Sequence, residues 1–157
     1  MHRRTILTGA AIAAFGHTVL PAHAIAQQSD PDMVKAALDA FYAALSARDM
    51  GKMDAVWAHD VDATLVNPRD KSISVGWDAI KKNWDVVFGS WSELKVTRTG
   101  GPIRVSGNVA WAMGSADVAG KTKDGAPVTF TALNTDIIEK RGDKWLMVSH
   151  SGWRAPQ

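Results

Sequence analysis

The sequence predicts an α+β domain, with helices packed on one face of a curved antiparallel sheet. Three observations carry this. Apolar residues recur at helical spacing only between residues 30 and 88, whereas from Ser92 onward extended runs are separated by turn dipeptides. Helices first and long strands afterwards give α+β rather than an alternating α/β order. The 157 residues hold no internal repeat or low-complexity tract, so a single core is expected.

Residues 1–26 read as an export signal, not as part of that domain. His2-Arg3-Arg4 supplies positive charge, and Ile6–Leu20 is a mildly apolar run without an acidic residue. Ala22-His23-Ala24 and Ala24-Ile25-Ala26 follow as overlapping small-x-small cleavage sites. The apolar run is too short, and too interrupted by Gly9, Gly16 and His17, to span a bilayer. Adjacent arginines before a weakly apolar run resemble a bacterial twin-arginine signal. An ordinary secretory signal is the alternative, and both lead to a periplasmic or secreted protein. The single domain then occupies residues 27–157.

The chain has 18 basic and 16 acidic residues, and Arg3 and Arg4 account for the excess. The balanced remainder argues against nucleic acid and against stable membrane insertion or an anionic membrane surface as partners. There is no cysteine, so disulfides, a thiolate nucleophile and thiolate metal sites are excluded. Only His59 and His150 lie beyond the signal, far apart in sequence, so no metal site is expected, and no cofactor either.

Within the domain, Ser29-Asp30-Pro31 is a helix start, a capping residue with proline in the first turn. Met33, Ala37, Ala40, Phe41, Ala44 and Leu45 give one apolar stripe to about Arg48. Gly51 breaks the run, and Met53, Val56 and Trp57 predict a short second helix ending near His59. Ala63–Asn67 is a short strand stopped by Pro68. After Gly76, a third helix places Trp77, Ile80, Trp84, Val87 and Phe88 on one face. Strands are predicted at 93–99, 103–106, 109–120, 128–140 and 144–151, punctuated by Gly100-Gly101, Gly107-Asn108, Asp124-Gly125 and Gly142-Asp143.

That order of elements carries a resemblance. Asp62-Ala63-Thr64-Leu65-Val66-Asn67-Pro68, Gly76-Trp77 with its helix, and the closing Gly142–Ser151 strand resemble the nuclear transport factor 2-like superfamily. Within it, the chain is most similar to SnoaL-like proteins related to the kinase II association domain. The resemblance spans essentially the whole domain and implies a cone: a bent antiparallel sheet wraps about three N-terminal helices and leaves a pocket at its open end. Many activities share this cone, so it does not select among them. In ketosteroid isomerases a general base stands where Asn67 stands here, and asparagine has no ionisable group; that chemistry is not expected. The closing strand retains only His150 of the histidine-rich ending of some relatives. A homodimer through the outer sheet face is the assembly implied.

Strand parity supplies the candidate chemistry. Phe130, Ala132, Asn134, Asp136 and Ile138 share one face of their strand. Pocket-facing arginine in the association-domain relatives, at the position of Asp136, implies that this face points inward. Across Gly142-Asp143, a three-residue loop sets Asp136 opposite His150, while a two-residue loop separates them onto opposite faces. If they meet, Asp136 orients and charge-stabilises the imidazole, giving an acid–base at neutral pH. The structural alternatives are a buried pair that merely closes the hairpin and an Asp136 on the solvated face. Trp84 and Phe88 on the third helix, with Trp111 and Met113 on the central strand, are the expected apolar pocket wall. Tyr42, Asn67 and Asn134 are its expected polar contacts. His59 reads as an exposed helix-end residue, and Trp145 as structural. Ala110, Ala112, Gly114 and Ala116 form a small-residue face expected to admit a second subunit.

Overall fold

A computed structural model describes residues 29–156; the expected export signal lies outside the described residues. The elements follow in the order α1 (Asp30–Ala47), α2 (Met50–Val56), β1 (Thr64–Val66), β2 (Ser74–Val75) and α3 (Trp77–Gly89). Then come β3 (Trp91–Gly100), β4 (Ile103–Ser106), β5 (Val109–Thr122), β6 (Pro127–Arg141) and β7 (Lys144–Arg154). Helices precede long strands, as the periodicity predicts. The strands outrun their predicted ends because pairing continues beyond the apolar runs.

Ser29 is the N-terminal cap of α1, with proline in the first turn. The helix is then pinned to the sheet: Lys140 Nζ and Trp145 Nε1 donate to Asp30 Oδ1 at 2.6 and 3.3 Å. Arg48 closes α1 in the left-handed conformation, its backbone N–H reaching back to the carbonyls of Ala44 and Leu45. Its guanidinium donates to the Trp91 carbonyl, which fixes the start of β3 beside the end of α1. Val34, Leu38, Phe41, Ala44, Met53, Trp57, Ile80 and Trp84 are buried between the helices and the concave sheet face. Each large side chain removed from water there contributes roughly 1.5–3 kcal/mol.

The sheet order is β2-β1-β7-β6-β5-β3, with β4 also pairing β5. β4 takes Val109–Ala112 of β5 and β3 takes Ser115–Thr122. The chain crosses between them at Gly101, where a Cβ would stand 1.8 Å from the Met113 carbonyl oxygen. Contrary to a purely antiparallel expectation, the sheet is mixed, because β1 returns from the helices and runs parallel to β7.

The face of β5 is also the reverse of the one expected. Ala110, Ala112 and Ala116 are buried on the concave side, and Gly114 shares their parity. Their small size admits α1, which packs against β3 and β4, rather than a second subunit. Trp111 and Met113 point outward instead, 41% and 52% exposed.

Candidate functional site

On β6, Ala132, Asn134, Asp136 and Ile138 all face inward and are buried, as their parity requires. The β6–β7 turn has two residues: Gly142, at φ 64°, and Asp143 lie between the paired Arg141 and Lys144. That loop length was expected to separate Asp136 from His150. It does not, because the register slips once. Ile138 pairs with Met147 but Ile137 with Ser149, leaving Val148 as the extra residue of a β-bulge. Beyond the bulge Asp136 pairs with His150, on the concave face. The slip falls where the other edge of β7 changes partner: Trp57 bridges Met147, and β1 takes over at Ser149.

The two side chains meet. His150 Nδ1 lies 2.6 Å from Asp136 Oδ1, with His150 5% and Asp136 1% exposed. A carboxylate only accepts, so Nδ1 carries a proton, and the other ring nitrogen, Nε2, is the one left to exchange a proton with a ligand. Phe41 packs 5.0 Å from the imidazole, centre to centre, and β1 flanks β7 through the pair Leu65–His150. At Gly152 a Cβ would stand 3.3 Å from Nε2, so the missing side chain leaves the approach to that nitrogen open.

The second Asp136 oxygen is also partnered. Tyr42, on α1, donates its hydroxyl to Oδ2 at 3.3 Å, and Asn134 Nδ2 donates to the Tyr42 oxygen at 3.0 Å. Burial, and then the charge of Asp136, push the Tyr42 phenol well above its ordinary value of 10.0, so Tyr42 stays protonated and serves as a donor, not a base. Asn67 is tied from the other side. Its backbone N–H donates to Asp70 Oδ2 at 2.8 Å, and its Nδ2 donates to Asn83 Oδ1 at 2.9 Å. Asn83 Nδ2 in turn donates to Asp70 Oδ2 at 2.8 Å.

These groups line a cavity with about 100 Å3 open to the centre of a water-sized sphere. One water needs roughly 10–15 Å3 on that measure, so a small organic molecule fits. Tyr42, Asn67, Asn134 and His150 line it, while Asp136 stands behind His150. The rest of the wall is mostly apolar: Leu45, Val87, Leu94, Val96, Val118 and Phe130 among others. The expected aromatic wall is not there. Trp84 and Phe88 stack on each other at 5.7 Å in the core behind the cavity, and Trp111 and Met113 face away from it. Trp91 and Arg69 line the cavity instead, the guanidinium 5.7 Å from the Trp91 ring centre.

Asp70, Asn83 and Gly152 escaped the sequence reading, although two left a signal. Asn83 falls three residues after Ile80, beside the apolar stripe of α3. Asp70 closes the Asn67-Pro68 turn, its backbone N–H donating to the Asn67 carbonyl at 2.9 Å. His59 is exposed as expected and stacks on Trp77 at 4.5 Å. Among the described residues, no group of three or more histidines and carboxylates is placed to hold a metal ion.

A SnoaL-like domain model matches residues 34–152. No curated protein matches the chain. Solved structures share the fold. One is a candidate dehydratase of the NTF2-like family from Streptomyces avermitilis, at 17% identity and TM-score 0.74, covering 82% of this chain and 98% of that one. Another is a candidate calcium/calmodulin-dependent protein kinase type II association domain from Thiobacillus denitrificans, at 26% identity and TM-score 0.66, covering 78% and 94%. A third is the hexachlorocyclohexane dehydrochlorinase LinA-type3 from Novosphingobium barchaimii, at 16% identity and TM-score 0.68, covering 80% and 86%. The chain shares its three-helix, curved-sheet architecture with structures of NTF2-like proteins, and, with a family model matched over most of its length, it belongs to the SnoaL-like domain family.

Proposed function

We propose that this protein binds a small, largely apolar organic molecule in its cone pocket and transfers protons on it in a lyase, isomerase or hydrolase reaction. The observation that carries the reading is the buried 2.6 Å contact between His150 and Asp136, with His150 on the wall of an apolar cavity. Asp136 fixes the imidazole tautomer and stabilises the imidazolium that forms when Nε2 takes a proton. Tyr42 and Asn134 hold Asp136 in turn. The apolar wall excludes water and strengthens the charge interaction at the moment of transfer. Two fold relatives carry names of elimination enzymes, a candidate dehydratase and a dehydrochlorinase, which agrees with proton abstraction as the shared demand.

The test is a metabolite screen comparing wild type with His150→Gln. Proton-transfer catalysis is worth about 10²–10⁴ in rate, and turnover should fall by that factor with ligand binding retained. Ligand binding without His150-dependent turnover would instead favour a non-catalytic binding or assembly module. An outward apolar patch supports that second reading: Trp111, Met113 and Trp153, the last 48% exposed, lie on the convex sheet face and suit a homodimer contact.

Export belongs to the same proposal. Replacing Arg3 and Arg4 together by lysine keeps the positive charge. Loss of the exported product would mark the twin-arginine route, and undiminished export the general one.

A further inference from the structure

The cavity opens at one end, and two uncommitted cations stand there. Of the residues that line it, only Arg69 and Ser90 are exposed, whereas Tyr42, Asn134 and His150 are buried. The cone therefore runs from a buried proton-transfer end to a mouth beside Arg69. Arg69 follows Pro68, whose ring would stand 3.5 Å from a Cβ at Gly152 on β7. Its guanidinium lies 5.7 Å from the ring centre of Trp91, at the start of β3, so the side chain reaches from the β7 side toward β3. Arg154 shares the concave parity of His150 and Gly152 on β7 and is exposed. Its guanidinium stands 4.1 Å from the ring centre of Phe130, another wall residue.

Neither guanidinium is otherwise engaged. Arg48, Arg98 and Arg141 donate to Trp91, Gly101 and Asp60; among the described residues Arg69 and Arg154 have no such partner. Arg104 has none either, but it pairs with Trp111 on the convex face. The carboxylate beside Arg69 in sequence, Asp70, is taken up by the Asn67 backbone and by Asn83. An aromatic ring beneath a guanidinium attracts the cation without using its N–H groups, which project from the edge of the plane. Each arginine is held in place with its donor fork unspent, and an anion is the partner that the mouth lacks.

We infer that the cavity takes apolar molecules that carry a carboxylate, with the apolar body inside the cone and the carboxylate held at the mouth by Arg69 and Arg154. This rests on the pocket assignment proposed above and narrows its substrate class. Arg154 lies four residues beyond His150 along β7, which sets roughly 13 Å between their backbones. A carboxylate anchored at the mouth fixes how deep the body reaches and so which carbon meets His150. Binding energy gained away from the reacting centre then serves to orient it.

The test titrates phenylbutyrate and its neutral amide, phenylbutanamide, into the isotope-labelled full chain. The side-chain amide signals of Asn67 and Asn134 and the indole signal of Trp91 are followed by NMR. Phenylbutyrate should bind roughly three- to thirtyfold more tightly than the amide, the range that two exposed ion pairs give, and the advantage should shrink as salt is added. In the double variant Arg69→Met, Arg154→Met, which keeps apolar stems against both rings and removes both charges, the two compounds should bind alike. Both positions are exposed, so the variant should fold, and its thermal melt checks this; should it not fold, each single variant should lose part of the advantage. Equal binding of the two compounds to wild type, with the same signals shifting, would overturn the inference and leave the pocket standing. A preference for the carboxylate that survives the double variant overturns it too, and assigns the charge to another cation such as Arg98. If neither compound shifts Asn67 or Asn134, the pocket assignment fails and the inference with it.

Discussion

The two faces of the β5–β6 pair invert the usual expectation for a half-buried sheet. On the concave side β5 presents Ala110, Ala112, Gly114 and Ala116, and β6 presents Asn134 and Asp136. On the convex side stand Trp111 and Met113. Over Ala110–Ala116 and Asn134–Asp136 the small and polar residues are inside, and the large Trp111 and Met113 are out. The concave face can afford to be small because α1, α2 and α3 bring the bulk: Phe41, Trp57 and Trp84 are essentially inaccessible to solvent. It tolerates Asn134 and Asp136 because each donates to or accepts from a neighbour, Asn134 to Tyr42 and Asp136 from Tyr42 and His150. Residue size alone does not tell which face of a strand is buried; what covers the strand does.

Three measurements would break or sharpen that contrast. The largest effect belongs to Ala112, buried beneath the helices. Ala112→Arg should prevent folding, a cost beyond the 4–5 kcal/mol that marks exceptional variants, because an unpaired charge would enter the core. Met113→Arg, one residue along, should fold with a stability within about 0.5 kcal/mol of wild type. Denaturation of both in urea gives the comparison. Light scattering on Met113→Arg then asks whether the convex patch joins two copies: a halved mass places the contact there, and an unchanged dimer mass places it elsewhere.

Next comes Asp136. Asp136→Ala should cost about 3–5 kcal/mol, since His150 and Tyr42 lose the group that both address. Thr135→Ala, on the opposite face of the same strand, should change stability far less. Similar losses for the two would mean that the buried network adds nothing to the fold.

The smallest effect is the pH dependence set by Tyr42. Its folded-state pKa is raised, so the native state holds its proton where the unfolded chain releases it. The resulting stability is complete below the ordinary phenol value and is lost as pH rises above it. Wild type should therefore weaken at alkaline pH more steeply than Tyr42→Phe. The variant itself starts about 1–3 kcal/mol lower at neutral pH, because Asp136 Oδ2 and Asn134 lose a partner. Parallel stability–pH curves would remove Tyr42 from the network.

Much of this molecule is written locally. Proline after Ser29, the stripe from Met33 to Leu45, the break at Gly51 and the glycine turns set where helices and strands begin. The parity of β6 alone put Asn134 and Asp136 on one face, and that face is the concave one. These are properties of a few neighbouring residues, and periods of 3.6 and 2 are enough to read them. The partner of Asp136 was another matter. From the two-residue turn, continuous pairing would have sent His150 to the convex side; the extra residue at Val148 brings it back, and that slip arises where Trp57 and then β1 meet the far edge of β7. Likewise, nothing within Val109–Ala116 says which of its faces α1 will cover, and nothing within Asn67–Asp70 says that Asn83 will come from α3 to meet it. The sequence by itself determined the elements and the chemistry-bearing residues. Register across strands, and the face on which a helix lands, are contacts between segments far apart in the chain, and only the folded structure decided them.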